Sequence, residues 1–484
     1  MEETLPELWK HQAKSIARAA DVHDPCFDNM GLFFEQGTGK TRTAVRMLAD
    51  KFNRAKRVMK TVILCPIIVT ENWPREITKY SKIKRDRIFV TYNKNPKKRY
   101  ANLEKALASN NGNMIIVVNF EGMLDEKLRK MLLDWGPEIL VVDESQRCKN
   151  PQAKRTKHTI TLSDLTQHRY ILSGTPILNS PMDVWAQYRI LDKGQRFGRN
   201  FFSFRAKYFY DKNAGMPAHI HFPDWHPRPE MQEEMNRLIY EIAERAIKSE
   251  CLDLPPLVRQ TVYIDLSPEQ RRMYDDLRDD FVAYLPDESG AVVADLAITK
   301  ALRLQQIVTG YVKLEDGREL HFEDIPRRAA LKELLEDIVI DAKQKVIVWA
   351  VFKSNYKLIR DVCDELKIKY VEAHGDIGAK QKLENVDIFN ADNDVSLMLG
   401  HPGSLGVGIN LIAASYAIYF SRDFSLENDL QSEARNYRGG SEIHEKITRI
   451  DIVAKETMDE KTVEALANKQ KISDKVLSKW KEEL

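Results

Sequence analysis

Three short runs carry residue types that handle phosphates. In Glu35-Gln36-Gly37-Thr38-Gly39-Lys40-Thr41 the glycines let backbone N–H groups, including that of Thr38, close around an anion. Lys40 then reaches the β- and γ-phosphates, and Thr41 holds Mg²⁺ through its hydroxyl. The strict spacing asks for a further glycine where Phe34 stands. About a hundred residues on, Ile139-Leu140-Val141-Val142-Asp143-Glu144 delivers two adjacent carboxylates at the end of an apolar strand. Burying such charges without partners is expensive, so Asp143 is expected on the metal and Glu144 on the attacking water. The third run, Gln431-Ser432-Glu433-Ala434-Arg435-Asn436-Tyr437-Arg438, lies about 400 residues from the first. On a helix, Arg435 and Arg438 share one face, with Gln431 one turn before Arg435. The first run supplies no arginine to a leaving γ-phosphate and the third has no cradle, so a complete nucleotide hydrolase needs both.

The elements around these runs read as α/β. Short apolar strands are expected at Gly31–Phe34, Thr61–Leu64, Met114–Val118, Ile139–Val142 and Tyr170–Leu172, each buried on both faces of a parallel sheet. After Lys40, the residues Ala44, Val45, Leu48, Ala49 and Phe52 recur at helical spacing, so the loop opens a helix whose N-terminus points at the phosphates. From Asp192 to Leu314 helices replace the alternation. Met231, Met235, Leu238, Ile239, Ile242 and Ala246 form one helical face, and Ser267-Pro268-Glu269-Gln270 is a capping box with proline at the first helical position. A second series of strands follows at Val346–Trp349, Tyr370–Val371, Val395–Leu399, Tyr416–Phe420 and Ile447–Val453. The plan is two parallel-sheet lobes in tandem, 1–256 and 257–484, with helical protrusions at about 192–250 and 267–314.

Bulk properties narrow the setting. A chain of 484 residues exceeds one hydrophobic core. The sequence shows no apolar run long enough for a membrane span and no secretory leader at Met1, which suits a cytoplasmic protein with no membrane partner. Five cysteines (Cys26, Cys65, Cys148, Cys251 and Cys363) without CxxC spacing argue against disulfides and zinc. His219, His221 and His226 lack a cysteine or acidic frame and read as loop residues. A net charge of +2 means that nucleic-acid contacts must come from a local groove and not from a global basic field.

With its motifs in order, the chain resembles superfamily 2 helicase-type ATPases of the Snf2 group, DNA translocases of chromatin remodellers and of many bacterial and phage proteins. Leu8-Trp9-Lys10-His11-Gln12 is similar to the group's adenine-reading segment, which implies that Gln12 bonds the base. Val62-Ile63-Leu64-Cys65-Pro66 with Asn72-Trp73 resembles a strand and loop that touch the nucleic-acid backbone. Asp143-Glu144-Ser145-Gln146-Arg147-Cys148-Lys149-Asn150 resembles the acidic box, and Ser173-Gly174-Thr175-Pro176-Ile177-Leu178-Asn179 the segment that couples hydrolysis to DNA grip. Leu252-Asp253-Leu254-Pro255-Pro256 with Tyr263-Ile264-Asp265-Leu266 resembles the group's bridge, and Gly406-Val407-Gly408-Ile409-Asn410-Leu411 matches a second-lobe element.

The resemblance implies two RecA-like lobes with Snf2-type helical insertions, use of ATP and Mg²⁺, and tracking along double-stranded DNA, forked or branched forms included. It places Gly408 at the nucleotide and brings Arg435 and Arg438 to the γ-phosphate when the lobes close. Pro66, Asn119, Thr175 and Asn410 are expected at the DNA backbone. Two positions depart from the pattern. Gln146 stands where the group has histidine; it can relay a hydrogen bond but cannot become cationic near neutral pH. His401-Pro402 stands where the group often has Ser-Thr. A compact motor of this kind looks more like the members found in a bacterial nucleoid or a phage-infected cell. A strand-separating helicase and an ATP-switched clamp with weak hydrolysis are the alternative readings.

Overall fold

The computed structural model describes residues 7–20, 29–92, 96–109, 112–174, 176–177, 180–216, 223–284, 290–314, 316–404 and 409–478. The chain divides at Asp253–Leu254 into two compact units, each built on its own sheet.

The first unit's sheet contains β1 (Asn29–Phe34), β2 (Thr61–Cys65), β3 (Ile88–Val90), β4 (Ile115–Asn119), β5 (Ile139–Asp143), β6 (His168–Leu172) and β9 (Ala243–Ala246). All seven are parallel, in the order β3-β4-β2-β5-β6-β1-β9. Their side chains alternate between two apolar layers. Val62, Leu64, Ile116, Val118, Leu140 and Val142 enter one, and Ile63, Cys65, Ile115, Val117, Ile139 and Val141 enter the other. The apolar runs of the sequence are continuous because both faces are covered. A small antiparallel hairpin, β7 (Phe209–Asp211) with β8 (Trp225–Pro227), precedes β9. His226, expected in a loop, lies in β8 because Tyr210 pairs with it across the hairpin, and its Nε2 lies 2.9 Å from Asp224. His219 and His221 fall outside the described residues, and among the described residues no cluster of His, Cys, Asp and Glu could hold a metal ion.

One expected helix is cut short. The helix Gln232–Tyr240 buries Met235 and Ile239, but Ala243 and Ala246 belong to β9, parallel to β1. Gly31 pairs with Ala243 in the register, and a Cβ built on Gly31 would stand 3.1 Å from the Ala243 Cβ. Two small residues let these strands approach, and the open edge of β1 gains a hydrogen-bonded neighbour.

The second unit's sheet contains β10 (Leu257–Ile264), β13 (Val346–Trp349), β14 (Tyr370–Ala373), β15 (Leu397–Gly400), β16 (Tyr416–Tyr419) and β17 (Ile447–Ala454), with a separate hairpin of β11 (Tyr311–Lys313) and β12 (Glu319–His321). Its strands are all parallel, in the order β10-β17-β16-β13-β15-β14. The segment expected as a bridge is the edge strand β10, paired with β17 over its whole length. The capping box is reciprocal: the Ser267 N–H donates to Gln270 Oε1 at 3.3 Å, and the Gln270 N–H donates to Ser267 Oγ at 3.4 Å, at the start of the helix Pro268–Tyr284. Arg327, 1% exposed, is held by the carbonyls of Val308 and Ile452 and by Asp459. The four described cysteines are free thiols. No described helix is long and apolar enough to cross a membrane.

Candidate active site

The phosphate loop leaves β1 and enters the helix Lys40–Ala55. Its turn depends on two glycines, with φ of 89° at Gly37 and 85° at Gly39, where a side chain would be strained. Thr38 is fully buried and its hydroxyl donates to the Glu35 carbonyl at 2.8 Å. Thr41 is half-buried in the first helical turn. The expected base-reading residue sits against this loop. The Gln12 amide donates to the Gly39 carbonyl at 3.4 Å, and a Cβ on Gly39 would collide with it at 2.1 Å. His11 Nε2 lies 2.8 Å from the Thr38 carbonyl.

The Lys40 side chain is buried, 5% exposed, and turns back under the loop. Its ammonium donates to the Phe34 carbonyl at 2.8 Å and to Gln36 Oε1 at 3.3 Å. The Gln36 amide nitrogen in turn donates to Glu144 Oε1 at 3.4 Å. Asp143 ends β5, and Glu144 follows it in a left-handed conformation with φ 53°. That turn places both carboxylates beyond the carboxyl end of the sheet, the edge at which open α/β folds bind ligands.

The second oxygen of Glu144 accepts from the Gln146 amide. Gln146 Oε1 accepts from the Ser173 hydroxyl at 2.7 Å, at the end of β6. The residue in histidine's place therefore does relay a hydrogen bond, from the acidic box to the Ser173-Gly174 segment. Ser145 runs parallel to it: its hydroxyl donates to Gln187 at 2.7 Å, and Gln187 donates to the Pro176 carbonyl at 2.6 Å.

Asp143 has a different environment. Oδ2 accepts from the Trp73 indole at 3.1 Å, while Oδ1 is buried without a hydrogen bond. Burial, and next the charge of Glu144, push its carboxyl up to about 7, against the pull of the Lys40 ammonium. An orphaned buried carboxylate oxygen fits a hard cation such as Mg²⁺, which takes oxygen ligands. Trp73, in the segment that resembles a nucleic-acid-contacting loop, is 1% exposed and turns its indole to Asp143. An indole is large and apolar with one donor, so burying it against the core while its N–H meets a carboxylate satisfies both ends.

Pro66 and Asn119 come together at the ends of the neighbouring strands β2 and β4, where Cys65 and Asn119 are in register. Pro66 is buried ahead of the turn Ile67–Val69, and the Asn119 amide donates to Glu121 at 3.0 Å. Thr175 and Gly408 lie outside the described residues.

In the second unit the helix Leu426–Glu433 ends before the arginines, so Arg435 and Arg438 stand in turns and not on one helical face. Pairing with the 409–414 segment bends the chain: the Leu411 N–H donates to the Arg435 carbonyl at 2.9 Å, and the Asn436 amide donates to the Ala414 carbonyl at 3.2 Å. Arg435 and Arg438 are nonetheless brought together, since both donate to the Ile409 carbonyl, at 3.3 and 3.0 Å. Gln431 is buried and donates to Glu427 at 3.1 Å. Asn410 uses its Oδ1 to accept from the Ile412 N–H at 3.1 Å. His401 Nδ1 accepts from the Gly403 N–H at 3.0 Å, and burial lowers its pKa.

The helix carrying Gln431 is fixed by a buried charge network. Arg449, 5% exposed in its side chain, bridges Glu433 at 2.8 Å and Asp429 at 2.7 Å, and Arg422 meets Asp429 at 2.9 Å. Sequence reasoning did not find Arg449, Gln36 or Gln187. Gln187 left one signal, a buried amide flanked by Trp185, Ala186 and Tyr188 in the helix Val184–Asp192.

Residues 11–310 match the SNF2-related domain, and residues 327–440 match the helicase conserved C-terminal domain. Among curated relatives, the zebrafish (Danio rerio) chromodomain-helicase-DNA-binding protein 1-like is 25% identical, over 92% of this chain and 41% of its own length. A putative protein p41 of Acyrthosiphon pisum secondary endosymbiont phage 1 is 24% identical, over 92% of this chain and 93% of its own. A solved SWI2/SNF2 ATPase core of Sulfolobus solfataricus in complex with double-stranded DNA is 23% identical, with a TM-score of 0.44 over 98% of this chain and 93% of that one. The chain spans less than half the length of the larger curated relatives that it matches. With a phosphate loop, acidic box and paired arginines in place, and the first of these domains covering more than half of its residues, the chain belongs to the SNF2-related family.

Proposed function

We propose that this chain is a DNA-dependent ATPase that uses ATP and Mg²⁺ to track along duplex DNA, forked or branched forms included, without separating its strands. The observation that carries this reading is the continuous path Lys40–Gln36–Glu144–Gln146–Ser173, which joins the phosphate lysine to the acidic box and to the next strand end. Such a path lets nucleotide state and DNA grip influence each other. It favours a motor over a clamp with weak hydrolysis, because Glu144 keeps its hydrogen-bonded link to Ser173 although histidine is replaced.

In this reading residues 1–256 form the ATP-binding lobe and 257–484 the second helicase lobe. Lys40 and the loop N–H groups bind the phosphates, Gln12 reads the base, and Gly408 lies at the nucleotide. Asp143 and Thr41 would hold Mg²⁺, which supplies charge neutralisation to the phosphate oxygens when bound. Glu144 orients and deprotonates the attacking water, and Arg435 and Arg438, with Gln431 beside them, stabilise charge on the γ-phosphate. Backbone amides and side chains around Pro66, Asn119, Thr175 and Asn410 grip DNA phosphates, so binding is sequence-independent and salt-sensitive. This reading goes with work in the cytoplasm, in a nucleoid or a phage-infected cell, and one relative of similar length is a phage protein.

The test is the ATPase rate without nucleic acid and with single-stranded, duplex and forked DNA and RNA, combined with triplex displacement. Stimulation by duplex DNA with loss of the third strand supports the proposal. A rate indifferent to duplex DNA would favour the clamp, and unwinding of a tailed duplex would favour a helicase.

A further inference from the structure

Gln36 stands at the meeting point of three motifs. Its side chain is buried, 8% exposed, directly before Gly37. Its carbonyl oxygen accepts from the Lys40 ammonium at 3.3 Å, and its amide nitrogen donates to Glu144 Oε1 at 3.4 Å. The third contact is steric. A Cβ placed on Gly174 would stand 2.7 Å from the Gln36 Nε2, 3.0 Å from its Cδ and 3.2 Å from its Cγ, so the amide is pressed against the glycine of the Ser173-Gly174 segment.

The chemistry of an amide suits this place. Gln36 offers an acceptor to a cation at one end and a donor to a carboxylate at the other, without adding a charge to a buried site that already holds Lys40, Asp143 and Glu144. A carboxylate would repel Glu144, and an aliphatic chain would leave one of its oxygens without this donor. Gln146 serves the other oxygen of Glu144, so two amides hold the carboxylate from opposite ends. A donor on each oxygen fixes the orientation of the carboxylate.

Phosphates entering the loop compete with Phe34 and Gln36 for the three N–H donors of Lys40. When phosphates enter the loop, its ammonium turns to them, and the Gln36 carbonyl loses a donor. We infer that Gln36 is a positioning residue that makes the orientation of Glu144 depend on where Lys40 points. Nucleotide arrival then reaches the water-activating carboxylate through one neutral side chain, whose room to respond is set by Gly174. This inference rests on the reading of Glu144 as the group that activates water.

The test compares Gln36→Met, the isosteric Gln36→Glu, Gly174→Ala and the double variant Gln36→Met/Gly174→Ala in the full chain. Each is assayed for kcat and KM of ATP hydrolysis, for affinity for a fluorescent ATP analogue and for thermal midpoint. Both Gln36 variants are expected to lower kcat about 10-fold or more, with nucleotide affinity within about twofold of wild type. Gly174→Ala should lower kcat through the displaced amide, and its effect should vanish in the Gln36→Met background. A kcat within about twofold of wild type for both Gln36 variants, a loss matched by an equal loss of nucleotide affinity, or simple additivity of the Gln36→Met and Gly174→Ala effects would overturn the inference. If Glu144→Gln, assayed alongside, hydrolyses ATP at the wild-type rate, the reading beneath it fails instead.

Discussion

The side-chain amide of Gln146 donates to Glu144, and the same amide's oxygen accepts from Ser173 at 2.7 Å. Glu144 is fully buried, and this donor satisfies one of its two oxygens. Removing it by Gln146→Ala leaves a buried carboxylate oxygen short of a bond, a cost of about 1–3 kcal/mol. The expected result is a loss of DNA-stimulated hydrolysis about 10-fold larger than the loss of basal hydrolysis, because the path to Ser173 is cut while the phosphate loop is untouched. Equal losses in the two rates would show that Gln146 serves Glu144 alone.

Lys40 and Glu144 should separate binding from turnover. Lys40→Ala removes the cation proposed to reach the phosphates, and we expect both nucleotide affinity and hydrolysis to collapse. Glu144→Gln keeps the shape of the site and its contact with Gln36, so nucleotide remains bound while turnover falls by about 100-fold or more. Equilibrium binding of a fluorescent ATP analogue beside steady-state kinetics distinguishes the two.

Arg449 tests how firmly the arginine-bearing segment is held. Its guanidinium bridges two buried carboxylates, Glu433 and Asp429. Arg449→Leu takes one cation from each, while Glu433 keeps Arg259 and Asp429 keeps Arg422, so the cost is about 1–3 kcal/mol, below that of a fully broken buried pair. Chemical denaturation should show the second unit weakened by that order, and hydrolysis should fall with it. A variant as stable as wild type would mean that Arg259 and Arg422 suffice for the two carboxylates.

Glu138 gives a pH signature in stability. Its carboxyl is held below its ordinary value of 4.5, first by the hydrogen bond from Arg57 and further by the Lys60 N–H, against the opposing effect of burial. A depressed carboxylate contributes stability at pH values above its unfolded value and loses it as pH falls through the folded one. The pair is partly exposed, so its contribution is about 1 kcal/mol or less. Glu138→Gln should therefore be less stable than wild type at neutral pH, with the gap closing below about pH 4.5. A gap that is constant across this range would contradict the assignment.

Much of this architecture is legible from local chemistry. Gly37 and Gly39 need backbone angles that side chains resist, so the loop announces itself. The strands β2, β4 and β5 are buried on both faces and show as unbroken apolar runs. Ser267 and Gln270 form the reciprocal cap that their spacing predicts. What stayed hidden depends on tertiary pairing. Ala243–Ala246 carries helix-compatible spacing, yet the open edge of β1 and the small Gly31 draw it into the sheet. Arg435 and Arg438 were expected on one helical face; they meet through the Ile409 carbonyl, more than twenty residues away in sequence. Gln36, Trp73 and Arg449 act through partners 70 or more residues distant or through several carboxylates at once, and no spacing rule exposes such contacts.

The most direct test is the ATPase rate of wild type and of the Arg435→Ala and Arg438→Ala variants, each with and without duplex DNA, beside binding of a fluorescent ATP analogue. Duplex DNA is expected to raise the wild-type rate, and each arginine variant is expected to lose this hydrolysis while still binding nucleotide. Hydrolysis that persists in the variants at the wild-type, DNA-stimulated rate would contradict this expectation.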